Sequence, residues 1–147
     1  MTRLLQLVAG LAFAVAATAP VVQAADPTDV IDYRKHIMKT LGAQAAAMAM
    51  TLQQKAPAEN FALHAEALAV TASTALVAFE PKVPGGESKP EVWAKWDDFS
   101  KKMKEFSANT AELAKLAKSG GLAAAGPKIQ GALTCKGCHD TYREKKE

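Results

Sequence analysis

Apolar residues recur along this chain at intervals of three, four or seven, a spacing that stacks them on one face of a helix. From about Thr28 to Lys55 the recurring positions are Val30, Ile37, Leu41, Ala45, Met48 and Leu52. Thr28 is placed to cap this first helix, Asp29 and Asp32 favour its positive N-terminal end, and Pro57 closes it. From about Ala58 to Phe79 the seam is Phe61, Ala65, Leu68, Ala72, Ala75 and Phe79. A third helix is predicted to begin near Pro90, a residue suited to a first helical turn. It carries Val92, Trp96, Phe99, Met103, Phe106, Thr110, Leu113 and Ala117 to a stop at Gly120-Gly121. A fourth covers about Leu122 to Lys145, with Gly126-Pro127 inside it. Proline removes a donor and crowds the preceding turn, so this helix either starts at Pro127 or is kinked there.

The connections are short except for one irregular stretch, residues 80–89, which holds Pro81, Pro84 and Gly85-Gly86. Four amphipathic helices joined mostly by short turns predict an all-α, antiparallel four-helix bundle. The alanine-rich run from Ala43 to Met50 would let neighbouring helices approach closely, or would leave room for a flat cofactor.

The first 24 residues stand outside this pattern. A positive start with Arg3 is followed by almost unbroken apolar sequence from Leu4 to Val22, then Val22-Gln23-Ala24 with small residues where a signal peptidase cuts. A membrane anchor is the alternative, but Pro20 and the cleavage-like end favour a signal peptide over 1–24, a single domain over 25–147 and export to the periplasm. Arg3 is the only charge in the leader, so the exported chain keeps 17 of its 18 basic residues against 15 acidic ones. That small excess gives no case for nucleic acid. No second stretch reads as long and apolar enough to span a bilayer, so a soluble protein is expected after removal of the leader.

The two cysteines lie three apart near the C-terminus and cannot staple distant segments as a disulfide framework would. They belong to Cys135-Lys136-Gly137-Cys138-His139, a complete C-x-x-C-H sequence of the kind that attaches haem. Each helical residue advances about 100°, so Cys135, Cys138 and His139 share a face. Two thioethers to the haem vinyl groups and an imidazole under the iron follow from that arrangement. A zinc site lacks partners, since only His36 and His64 remain and neither has matching spacing. A thioredoxin-like pair would need a βαβ context that the pattern does not offer. One covalent haem c, held through Cys135 and Cys138 with His139 on its iron, is therefore expected.

The second axial position is less determined by spacing. Met38, Met48, Met50 and Met103 are all candidates, and each is equally readable as core packing. Met38 lies four residues after Arg34, so a methionine on the iron and an arginine balancing a haem propionate would share one helical face. His36 sits two residues from Met38, about 200° around the helix, and His64 falls off the seam of the second helix.

The chain resembles the cytochrome c-prime family, the class II c-type cytochromes, over essentially all of residues 25–147. Asp32-Tyr33-Arg34-Lys35 resembles the family's opening helix, though Lys35 departs from the polar amide often found there. Phe79-Glu80-Pro81, Gly85-Gly86 and Pro90-Glu91-Val92-Trp93 resemble its central loop and third helix, and Cys135 to Arg143 its haem-binding end. The resemblance implies that Arg34 approaches a propionate. It further implies that Met38, where high-spin members carry a non-ligating apolar side chain, marks the low-spin branch with His139/Met38 ligation. One-electron transfer to periplasmic redox proteins, met transiently, is then the expected function. A high-spin haem binding nitric oxide or carbon monoxide at an open or displaceable site is the alternative. No acid–base pair or nucleophile constellation suggests an enzyme. A homodimer packed through the first two helices, with Ala46, Ala47 and Met50 on the shared face, is implied as well.

Overall fold

The structure, a computed structural model, describes residues 26–145, so the leader expected over 1–24 lies outside it. Helix α1 spans Pro27–Leu52, and its cap is Asp26 rather than Thr28. The Asp26 carboxylate accepts from the Thr28 amide at 2.7 Å, with Pro27 in the first turn where its missing N–H costs nothing. Beyond Leu52 the chain reverses through Gln54, whose φ of 57° is left-handed. A 3-10 turn, Ala58–Asn60, leads into α2, Phe61–Ala75, and a second, Val77–Phe79, leaves it.

The predicted third helix is divided. A short α3, Glu91–Ala94, ends at Lys95 (φ −119°, ψ 45°), and α4, Trp96–Ala125, starts after it. Gly120 and Gly121 break α4 internally: Gly121 takes φ 61°, ψ −153°, a region open essentially only to glycine. The helix predicted over Leu122 to Lys145 is likewise segmented. Gly126–Lys128 is 3-10, α5 covers Ile129–Ala132, Leu133 and Thr134 leave helical geometry, and α6 is Cys135–Tyr142.

Helix α2 lies between α1 and α4 and packs on both; α5 packs on α4, and α6 on α3 and α4. The result is the four-helix bundle, its fourth member broken into α5 and α6. All six predicted positions of the second helix, from Phe61 to Phe79, are buried. In α1 the seam drifts: Val30, Leu41 and Met48 are buried, whereas Leu52 is exposed and Arg34 and Thr51 take interior places. Phe61, Met48, Leu68 and Leu113 are fully enclosed, each worth about 1.5–3 kcal/mol of burial. The buried hydroxyls are satisfied within their own helices, Thr51 by the Met48 carbonyl at 2.7 Å and Thr110 by the Phe106 carbonyl at 2.9 Å.

One expectation needs correction. Residues Ala58–Phe79 are long and apolar enough to cross a membrane by length and composition, with a mean hydropathy of 1.5. The reason is that this stretch supplies the central helix of the bundle, so its inward face is wholly apolar. Its outer face adds Leu63, Val70 and Val77, each more than half exposed.

Candidate haem site

A cavity of about 650 Å³ opens between α1, α4, α6 and the 80–89 loop. That is within the range of about 300–1,000 Å³ typical of cofactor pockets. The five residues expected to hold the haem all line it: Arg34 and Met38 from α1, and Cys135, Cys138 and His139 from α6. His36 and His64 do not line it. His64 instead places Nδ1 2.8 Å from Oε1 of Gln44, joining α1 to α2. Among the other methionines, Met48 and Met50 lie away from the cavity while Met103, buried on α4, lines it. The alanine-rich run belongs to the close approach of α1 and α2, and none of its residues lines the cavity.

Both cysteines are free thiols on one helix, Cys135 exposed and Cys138 partly buried. Burial pushes the Cys138 thiol up, keeping it protonated. His139 is partly buried, and that burial, followed by the Arg143 charge, lowers its pKa. The imidazole is thus held neutral, the form a metal ligand needs. A guanidinium nitrogen of Arg143 lies 3.4 Å from Nδ1 of His139. Two free thiols and a neutral imidazole on one helix face, beside a cavity of this size, fit a covalently held haem. Among the described residues no group of three or more His, Cys, Asp and Glu side chains could hold a bare metal ion.

Helix α6 has only eight residues and depends on its surroundings for its position. Tyr142, buried at its end, donates its hydroxyl to Asp98 on α4 and packs its ring edge-on against Phe99 at 5.1 Å. The 80–89 loop pairs with the same end: the Lys89 amide donates to the Tyr142 carbonyl at 3.0 Å and the Glu144 amide to the Glu87 carbonyl at 2.9 Å. Glu87 also meets the Arg143 guanidinium at 3.5 Å.

Arg34 is 3% exposed. Its guanidinium donates to the carbonyls of Val83 at 2.6 Å and Gly85 at 3.2 Å, with the rings of Phe79 and Trp93 at 5.4 and 5.2 Å. Desolvation lowers its pKa without discharging it. The sequence signalled Arg34 as a partner for an external anion. Its hold on the loop, and the Asp98–Tyr142 link, were not signalled, because both join residues more than 40 positions apart.

A family model described as Cytochrome C' matches residues 29–143. Cytochrome c' from Alcaligenes xylosoxydans xylosoxydans is 30% identical, covering 84% of this chain and all of the relative. Cytochrome c' from Rhodospirillum rubrum is 34% identical, covering 90% of this chain and 93% of the relative. Among solved structures, a ferrous variant of cytochrome c prime from Alcaligenes xylosoxidans with bound NO superposes with a TM-score of 0.75 at 28% identity, covering 84% of this chain and 100% of that one. These relatives give no support to a methionine-ligated branch, since proteins of this name typically leave the iron high-spin. With the thiols, imidazole and cavity already in place, the match across nearly all of the described residues makes this chain a member of the cytochrome c' family, whose proteins carry one covalently attached c-type haem.

Proposed function

We propose that this protein binds a small neutral diatomic, nitric oxide or carbon monoxide, at the haem face turned away from His139, with Met38 standing over that face. The observation that carries the reading is the chemistry of the cavity wall. Its buried apolar part is Leu41, Leu68, Phe79, Val92, Phe99 and Met103, none of which offers a hydrogen-bond donor. The two buried donors on the wall are engaged elsewhere, Arg34 with the loop carbonyls and Tyr142 with Asp98. The buried part of the wall thus offers no free donor, which favours diatomics that need none. The solved neighbour with bound NO supports the same reading.

When bound, the haem iron supplies both the ligand site and a one-electron couple. The chain's own residues do the rest: Cys135 and Cys138 anchor, neutral His139 ligates, and the apolar wall excludes water. A second reading keeps Met38 as a permanent axial ligand in a low-spin electron carrier serving periplasmic redox partners. It is favoured by the presence of a thioether on the cavity wall one helical turn beyond Arg34. On either reading the protein is a non-enzymatic, soluble periplasmic cytochrome. The leader read over 1–24 directs its export, and a homodimer through α1 and α2 is supported by the exposed Leu63, Val70 and Val77.

The absorption spectrum of the purified holoprotein, oxidised and reduced, with and without carbon monoxide, tests the choice. Broad high-spin bands that respond to carbon monoxide are the expected result. Sharp low-spin bands, a ferric methionine–iron charge-transfer band and indifference to carbon monoxide would establish the electron carrier instead.

A further inference from the structure

Arg34 is the only charged side chain buried among the described residues, and its contacts run to the backbone of a loop. That loop has little structure of its own. Lys82, Gly85 and Gly86 all take positive φ, and only isolated bridges, Gly85 with Ser88 and Ser88 with Arg143, organise it. Its fixed points lie at its two flanks: the Arg34 fork on α1, and the amides of Lys89 and Glu144 at the end of α6. Helix α1 packs on α2, and α6 packs on α3 and α4, so the loop is the span that ties the helix of Met38 to the helix of His139 beside the cavity.

We propose that Arg34 is a positioning residue: by gripping the Val83 and Gly85 carbonyls it sets the separation of Met38 from His139, and with it the access of a diatomic to the iron. This rests on the gas-binding reading given above. A guanidinium suits the task because two of its N–H groups reach two carbonyls at once, and its flat faces sit against Phe79 and Trp93. A lysine in its place keeps the charge but is a point donor. The substitution therefore separates a clamp from a simple counter-charge to the haem propionates.

The test compares the holoprotein with its Arg34→Lys and Arg34→Met variants. Three quantities are read: amide exchange at Lys89 and Glu144, the association rate of carbon monoxide with the ferrous form, and amide exchange in the middle of α4. In Arg34→Lys the two loop-end amides are expected to exchange about tenfold faster, the factor carried by one charge-assisted hydrogen bond. The association rate is expected to change severalfold, while α4 stays as in the parent. Parent-like exchange and association in Arg34→Lys, with both altered only in Arg34→Met, would show that charge alone matters and overturn the proposal. Faster exchange with unchanged association and spectrum would also overturn it, since Arg34 would then be merely structural.

Should the Arg34 variants fail to fold, Gly85→Ala displaces the gripped carbonyl with Arg34 intact. Gly85 has φ +112°, and an added Cβ would lie 3.2 Å from Ile31. The same pair of changes is expected there, and parent-like behaviour would overturn the clamp. If the parent protein ignores carbon monoxide, the gas-binding reading fails by itself. The exchange rates and the ferric methionine–iron band then still judge the clamp.

Discussion

Tyr142, three residues beyond the proposed iron ligand His139, donates its hydroxyl to Asp98 and so fastens the haem helix to α4. Desolvation first, and the Asp98 bond second, push the Tyr142 pKa up to about 12. A phenol whose folded pKa lies above its unfolded value near 10 contributes stability that is complete below about pH 10. That contribution is lost as pH rises towards about 12. Tyr142→Phe is therefore expected to cost about 1–2 kcal/mol at neutral pH and to flatten the alkaline fall in stability. Urea denaturation of both proteins between neutral pH and pH 11 reads this, and an identical alkaline slope would remove Tyr142 as its source.

The break at Gly120-Gly121 makes a second, independent expectation. An L-residue at Gly121 would have to adopt φ 61°, ψ −153°, and a Cβ on Gly120 would meet the Ala124 Cβ at 2.7 Å. Gly121→Ala is expected to lower stability by about 1–3 kcal/mol. Gly131 offers the control: it lies in α5 with nothing within 4 Å of an added Cβ. Gly131→Ala is expected to raise stability by about 0.5–1 kcal/mol through the entropy of the unfolded chain. Equal effects at the two glycines in thermal unfolding would refute the backbone argument.

What the sequence made legible was what depends on local spacing. The α2 seam, the stop at the glycine pair and the shared face of Cys135, Cys138 and His139 all follow from residues within a few turns of each other. The gathering of Arg34 and Met38 with those three around one cavity was expected from the family resemblance, and the structure places all five on its wall. Periodicity failed where tertiary contacts outweigh it. Arg34 displaces an apolar residue from the α1 interior because the loop supplies two carbonyls and Phe79 and Trp93 supply ring faces. Lys95 and Leu133–Thr134 break helices without a proline or glycine, so no local signal marks them. Asp26 caps α1 two residues ahead of Thr28, the cap that the pattern predicted.

The outer face of α2 and of the 3-10 turn that follows it repeats Leu63, Val70 and Val77 every seven residues, at 64%, 64% and 58% exposure. Residues seven apart stand nearly in line along a helix, so the three form one apolar stripe. On the homodimer reading this stripe, rather than Ala46, Ala47 and Met50, supplies most of the apolar area. Val70→Lys is expected to shift the protein to monomer in sedimentation equilibrium with the haem spectrum unchanged. A parent that is already monomeric would refute the homodimer, and a variant that dimerises equally well would place the contact elsewhere.

Met38 and Met103 are the two methionines on the cavity wall, and they differ in how they stand to the iron-binding helix. Met103 is buried in α4 and belongs to the hydrophobic core, while Met38 is only partly buried and packs against that core's edge. If Met38 covers the diatomic site, Met38→Ala removes bulk from an approach that needs no donor. Carbon monoxide association should then accelerate severalfold with the ferric spectrum still high-spin. If Met38 instead ligates the iron, the same substitution should abolish the methionine–iron band, convert the haem to high-spin and lower its reduction potential. Met103→Leu conserves volume and is expected to leave association, spectrum and potential unchanged, at a stability cost below about 1.5 kcal/mol. An unaltered Met38→Ala protein together with an altered Met103→Leu protein would transfer the distal role to Met103, and α1 would then contribute only Arg34 to the site.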